Sequence, residues 1–187
     1  MARIISGIAR GRTLIIPPSG TRPTTDRAKE GLFSALSVRF GFEDAVVLDL
    51  FAGSGALGLE AASRGAREVI LVENNHAAVV IAQKNAEKVG IPGIRVVEAT
   101  ASSYVSTAPQ DYFDFILADP PYALSDEAIA EMVEKTVPLL ADGGVLVVER
   151  HVDSAPTPWP ETMTPTTQKL KKRTYGTTRF DMAVKTQ

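Results

Sequence analysis

The chain has 187 residues, enough for one domain of ordinary size with a small appendage, and 44% hydrophobic with 22% charged residues marks a folded globular protein. No apolar run approaches the ~18 residues needed to span a bilayer, and without cysteine there is no disulfide, thiolate nucleophile or Cys-bound zinc, which suits a cytoplasmic protein. The net charge of −2 is uneven: residues 1–30 carry six Lys/Arg against two acids, residues 169–187 carry six against one, and the stretch between carries eight against nineteen. Clustered cations at both ends suggest a polyanion partner, beside the plainer reading of a solvated surface.

Residues 3–16, RIISGIARGRTLII, predict two short strands around a glycine turn, and Arg3, Arg10 and Arg12 interrupt any signal-peptide core. PPSGTRPTT is a rigid connector. Thr25 or Asp26 then caps a helix through RAKEGLFSAL, with Leu32, Phe33 and Leu36 on its apolar face. From residue 45 strands and helices alternate. AVVLDLF is a strand, GALGLEAASRG a helix closed by Gly65, EVILVE a strand, and HAAVVIAQKNAEKVG a helix closed by Gly90. IRVVEA and FDFILAD are further strands, SDEAIAEMVEKTVPLL a helix and GGVLVVER a strand. Strands that are continuous Val/Ile/Leu runs are covered on both faces, so the alternation predicts an α/β fold with a doubly wound, mainly parallel sheet. TPWPE breaks the pattern, with Trp159 as a packing anchor, and QKLKKRTYGTTRFDMAVK reads as a hairpin turning near Tyr175-Gly176. The chain thus divides into a basic extension, residues 1–40, and an α/β domain, residues 41–187.

Ligands of open α/β sheets sit at the carboxyl ends of the strands. The first such end is VLDLFAGSGALGLE, where Gly53, Gly55 and Gly58 fit G-x-G-x-x-G, a turn that lets backbone approach a ligand closely. Glu73 ends the next strand, placed to hold both hydroxyls of a ribose. That spacing fits NAD as well as S-adenosyl-L-methionine (SAM), and a helix-start turn without ligand is the plain alternative. Asp49 discriminates: a carboxylate inside the strand end repels a pyrophosphate and attracts the ammonium of an amino-acid ligand such as SAM.

FILADPPYAL then runs a buried strand into Asp119, Pro120, Pro121 and Tyr122. Proline keeps the preceding residue extended and contributes no N–H. The tetrapeptide is therefore a stiff array of acceptors, suited to the exocyclic amine of a nucleobase or an amide. Such a nitrogen gains positive charge as it is alkylated, and fixed acceptors stabilise that charge. Tyr122 offers a face for a flat base, which must be unpaired or flipped to enter.

With RGRTLIIP, RPTTDRAKEGLF, LDLFAGSGALGLEAASRGA, DPPY and RTYGTTRF in place, the chain resembles the RsmD family of bacterial 16S ribosomal RNA guanine-N2 methyltransferases over nearly its whole length. The resemblance implies a seven-stranded Rossmann-like class I methyltransferase sheet, SAM as donor, and methylation of one guanine in 16S rRNA, naked or in a partly assembled small subunit. It implies Asp119, Pro120, Pro121 and Tyr122 as catalytic. Asp49, Phe51, Ala52, Gly53, Ser54 and Gly55 would line SAM, with Glu73 and Asn74 at its ribose and Thr100 and Ala101 near its adenine. Arg10, Arg12, Arg22, Thr24, Thr25 and Arg27 would meet RNA, with helix capping the alternative for Thr25. His76 and His151 are read as bland, too few for a His-based metal site, and the protein as a monomer without metal or membrane. The rivals are an amino-methyltransferase acting on adenine or protein glutamine, an NAD-dependent oxidoreductase, and a non-catalytic RNA-binding module.

Overall fold

The computed structural model describes residues 2–17 and 24–186. Strands β1 (Ala2–Arg3) and β2 (Thr13–Leu14) pair antiparallel, and α1 (Asp26–Arg39) follows, with the Thr25 hydroxyl accepting from the Ala28 N–H. The alternating part comprises β3 (Val46–Asp49), α2 (Ala56–Ser63), β4 (Glu68–Glu73), α3 (His76–Val89) and β5 (Ile94–Glu98). It continues with α4 (Ala101–Val105), β6 (Phe113–Ala118), α5 (Asp126–Thr136) and β7 (Leu140–His151), and β8 (Met163–Pro165), β9 (Thr174–Tyr175) and β10 (Thr178–Lys185) close the chain. Asn75, Thr100 and Ser125 cap α3, α4 and α5 as Thr25 caps α1, each accepting a first-turn N–H that has no partner inside its helix.

The sheet order is β5-β4-β3-β6-β7-β10-β8, parallel from β5 to β7 and antiparallel at β10 and β8. Seven strands form this row, and β9 adds a short eighth beside β10. The hairpin expected at Tyr175-Gly176 is present, but only two residues of β10 pair within it, and the longer partner of β10 is β7. The chain leaves β5 at one edge and re-enters at β6 on the other side of β3. That reversal opens a crevice between β3 and β6, where ligands of such sheets bind.

Alternate residues of each strand feed two cores. Val47, Leu71 and Phe115 pack with Leu14, Leu32, Phe33, Leu36 and Leu59 on one face. Leu48, Ile70 and Ile116 pack with Val105, Ile129 and Val133 on the other, with Trp159 at the margin. The amino-terminal hairpin and α1 therefore share a core with the sheet. Inside it lies Lys29, 1% exposed, whose Nζ sits 3.6 Å from Glu60 Oε2 and donates to the Arg3 carbonyl. Glu60 also accepts from the Ile5 and Ser6 N–H groups and from Arg64. Burial lowers the Lys29 pKa while Glu60 and Asp26 oppose the fall.

Candidate active site

Asp49 is the last residue of β3 and is fully buried. Its Oδ2 accepts the Gly58 N–H at 2.9 Å, which ties the strand end to α2. Gly58 is needed there, since a Cβ would stand 2.2 Å from Leu71 Cδ2. Oδ1 is buried with no protein partner. Burial raises the Asp49 pKa to about 7, against the Gly58 bond and with a contribution from Glu73. A buried acceptor left unpaired is costly, and here it points to a donor that the protein does not supply.

The loop after Asp49 begins at Phe51, whose φ of 101° is strained for an aromatic residue. The Phe51 and Ala52 N–H groups both donate to the Val72 carbonyl, which locks the loop against β4. Gly55, at φ 84°, turns the chain into α2. Glu73 spans this loop and the next: Oε2 accepts from Gly53 N–H at 2.8 Å, and Oε1 from Asn74 and Asn75 at 2.9 and 2.8 Å. A carboxylate oxygen has two acceptor positions, so Oε2 retains one.

Asp119 follows β6 across the crevice, two residues beyond Leu117, the partner of Asp49 in the ladder. Burial, then the Glu149 and Asp49 carboxylates, push its pKa well above the usual carboxylate range. The Pro121 carbonyl is taken by the Leu124 N–H at 3.0 Å. Not every carbonyl of the tetrapeptide is thus free. Tyr122 is 49% exposed, and its ring meets His151 edge-on at 5.7 Å, so His151 is nearer the site than its bland reading implied.

Asp49, Phe51, Ala52, Gly53, Ser54, Glu73, Asn74 and all four residues of DPPY line one cavity of about 630 Å³. Phe51 and Asn74 also wall an adjoining cavity of about 270 Å³ with Thr100 and Ala101, while Gly55 only shapes the turn. Thr24 reaches the larger cavity; Thr25 and Arg27 line a groove beside it. Arg22 lies outside the described residues. Arg10 and Arg12 are not brought to the site. Their loop sits on the last turn of α2, through Ile8 N–H to the Ser63 carbonyl, and Arg12 donates to the Lys88 and Val89 carbonyls at the end of α3. Both helices begin at the carboxyl ends of strands, so their last turns lie at the opposite end of the sheet.

Glu149, buried in β7, was not singled out from the sequence. It accepts from Thr24 Oγ1 at 2.9 Å and from Tyr122 and Thr178 hydroxyls at 3.3 Å each, and so joins the connector, DPPY and β10. The available signal was an acid at the carboxyl end of an otherwise apolar strand neighbouring the DPPY strand.

This constellation, an unpaired buried carboxylate facing a proline-stiffened one across a switch point, agrees with the comparisons. The family model described as conserved hypothetical protein 95 matches residues 2–184. The chain belongs to the RsmD family. Ribosomal RNA small subunit methyltransferase D of Escherichia coli is 40% identical over 148 residues, covering 79% of this chain and 70% of that protein. Its counterpart in Haemophilus influenzae is 34% identical over 180 residues, covering 93% and 89%. The solved structure of yhhF from Escherichia coli superposes with a TM-score of 0.81 at 34% identity, covering 98% and 97%. The RsmD-family sheet described above is the class I methyltransferase fold.

Proposed function

We propose that the protein transfers a methyl group from S-adenosyl-L-methionine to the exocyclic N2 amine of a guanine in 16S ribosomal RNA. The observation that carries the reading is the buried, unpaired Asp49 oxygen in the same cavity as Asp119. Asp49, Glu73, Asp119 and Glu149 all line that cavity. Four carboxylates crowded around one cavity, with Asp49 and Asp119 raised in pKa, favour a cationic ligand and oppose a pyrophosphate. The donor set therefore fits a ligand with an ammonium and a sulfonium, and argues against NAD. The RNA target follows from the relatives named as ribosomal RNA small subunit methyltransferase D.

When bound, SAM supplies an electrophilic methyl group on a positively charged sulfur. Asp49 Oδ1 would accept from the ligand ammonium, and the remaining position on Glu73 Oε2 would accept from a ribose hydroxyl. Thr100 and Ala101 wall the side cavity that would hold the adenine. Asp119 and the Pro120 carbonyl accept the two amine hydrogens of guanine, which orients the nitrogen lone pair before reaction. As positive charge develops on that nitrogen, the Asp119 carboxylate stabilises it and is positioned to take the released proton. Tyr122 stacks on the base, steadied by Glu149.

The test is transfer of labelled methyl from SAM to small-subunit RNA lacking the modification, followed by nucleoside digestion. Label in N2-methylguanosine is expected. Label in adenosine, or none in RNA, would refute the assignment.

A further inference from the structure

A second hollow, a groove of about 690 Å³, runs between α1 and the β9–β10 hairpin. Arg27 and Arg39 of α1 form one wall, and Lys171 and Lys172 lie on the other. All four are exposed. Some surface cations are answered by acids: Arg3 by Asp26, Arg95 by Glu68 and Lys135 by Glu131. Among the described residues, these four make no ion pair. The single acid in the lining is Glu149, which is buried and accepts from three hydroxyls. The result is a concentrated positive channel on a chain whose net charge is −2.

The two walls are fitted together. A Cβ at Gly31 of α1 would lie 1.9 Å from the Tyr175 hydroxyl and 2.2 Å from its ring, so only glycine lets the hairpin tyrosine rest against the helix. The Tyr175 hydroxyl in turn donates to the Lys172 carbonyl at 3.0 Å, which fixes the lysine turn. At its inner end the groove shares Tyr122 and Glu149 with the cavity that contains Asp119. Val38, 84% exposed, adds an apolar surface to the α1 wall.

We infer that this groove holds the sugar–phosphate backbone of the RNA strand flanking the target base, with Arg39, Lys171 and Lys172 on phosphates and Tyr122 at the point where the base turns into the cavity. The assignment rests on the methyl acceptor being RNA. Unpaired cations in a concave track match a backbone, and the track's continuity with the catalytic cavity makes it the route by which a single strand is led in. Because such contacts carry affinity without reading sequence, loss of the groove weakens all RNA alike.

The test is the variant Arg39→Ala/Lys171→Ala/Lys172→Ala, whose positions are exposed and outside the core. Anisotropy of a fluorescein-labelled RNA hairpin with an unpaired loop is measured across a salt series. Each lost single-strand phosphate contact removes about 0.7 from the slope of log affinity against log salt, so a fall of about 2 is expected. KM for 16S rRNA should rise at least about tenfold, with kcat and SAM affinity unchanged. Parental slope and KM in the variant, with an active parent, would overturn the groove and leave the proposed reaction standing. A parent that transfers no methyl to RNA yet shows the groove-dependent slope would overturn the reaction and keep the groove. The reverse-charge variant Lys171→Glu/Lys172→Glu should weaken binding further; binding no weaker than the alanine variant would also count against the track.

Discussion

Replacing Asp49 by asparagine removes the ionisable group while keeping an acceptor for the Gly58 N–H at 2.9 Å. In the parent, burial raises this carboxyl from the usual 3.8 to about 7, so the folded chain binds its proton more tightly than the unfolded chain does. Stability from this group is therefore greatest below pH 3.8 and is lost as pH rises through the window up to about 7. Keeping the group ionised costs the fold about 4 kcal/mol at 1.36 kcal/mol per pKa unit. Asparagine avoids that cost but places an amide donor where Oδ1 has no partner, at about 1–3 kcal/mol. The net gain above neutral pH is about 1–3 kcal/mol, or a Tm higher by roughly 5 °C for a chain of this size. The same change removes the charge proposed to hold a ligand ammonium, a charge-assisted bond of about 1.5–3 kcal/mol, so SAM should bind roughly ten- to hundredfold more weakly. In the parent, SAM affinity should fall with acidity below about pH 7, as protonation of Asp49 competes with the ammonium. Scanning calorimetry of parent and variant at about pH 5 and pH 8, with SAM titrations at both, measures every term. An advantage to the variant that does not grow with pH, or parental SAM affinity in the variant, would refute the reasoning.

Lys29→Ala leaves the buried Glu60 with Arg64 and two backbone donors but without its nearest ammonium, and should destabilise by about 3 kcal/mol, read as a Tm lower by about 8 °C in a thermal melt. An unchanged Tm would show that the pair is dispensable. Glu149→Gln keeps the length and acceptor of the side chain but removes a charge that raises the Asp119 pKa. The acid limb of the pH–rate profile should therefore move to lower pH, a shift that a purely structural role would not produce.

The sheet was legible because strands covered on both faces need continuous apolar runs, and AVVLDLF, EVILVE and FDFILAD contain VVL, VILV and FILA. The glycine turn and DPPY were legible because each needs residues that few other conformations tolerate: Gly58 against Leu71, and prolines that donate nothing. Helix α4 and strand β8 are too short to impose a period, and β8 exists because β10 offers it an edge. Charged residues were the least legible, since their roles depend on partners distant in sequence. Arg12 looks like one cation in a basic run, yet its guanidinium caps α3 some 76 residues away. Glu149 looks like an ordinary strand residue until Thr24, Tyr122 and Thr178 converge on it. The groove between α1 and the hairpin joins the two basic ends, and the fit of Gly31 to Tyr175 that brings its walls close is not visible in the charge pattern.

The account stands most directly on Asp119 as the acceptor that presents the amine. Single-turnover methyl transfer to 16S rRNA by Asp119→Ala, with SAM affinity measured on the same preparation, isolates that role. The predicted result is a rate lower by about 10²–10³-fold, the loss seen when one preorganised charge-stabilising group is removed, with SAM binding largely retained. Transfer at the parental rate would contradict the account.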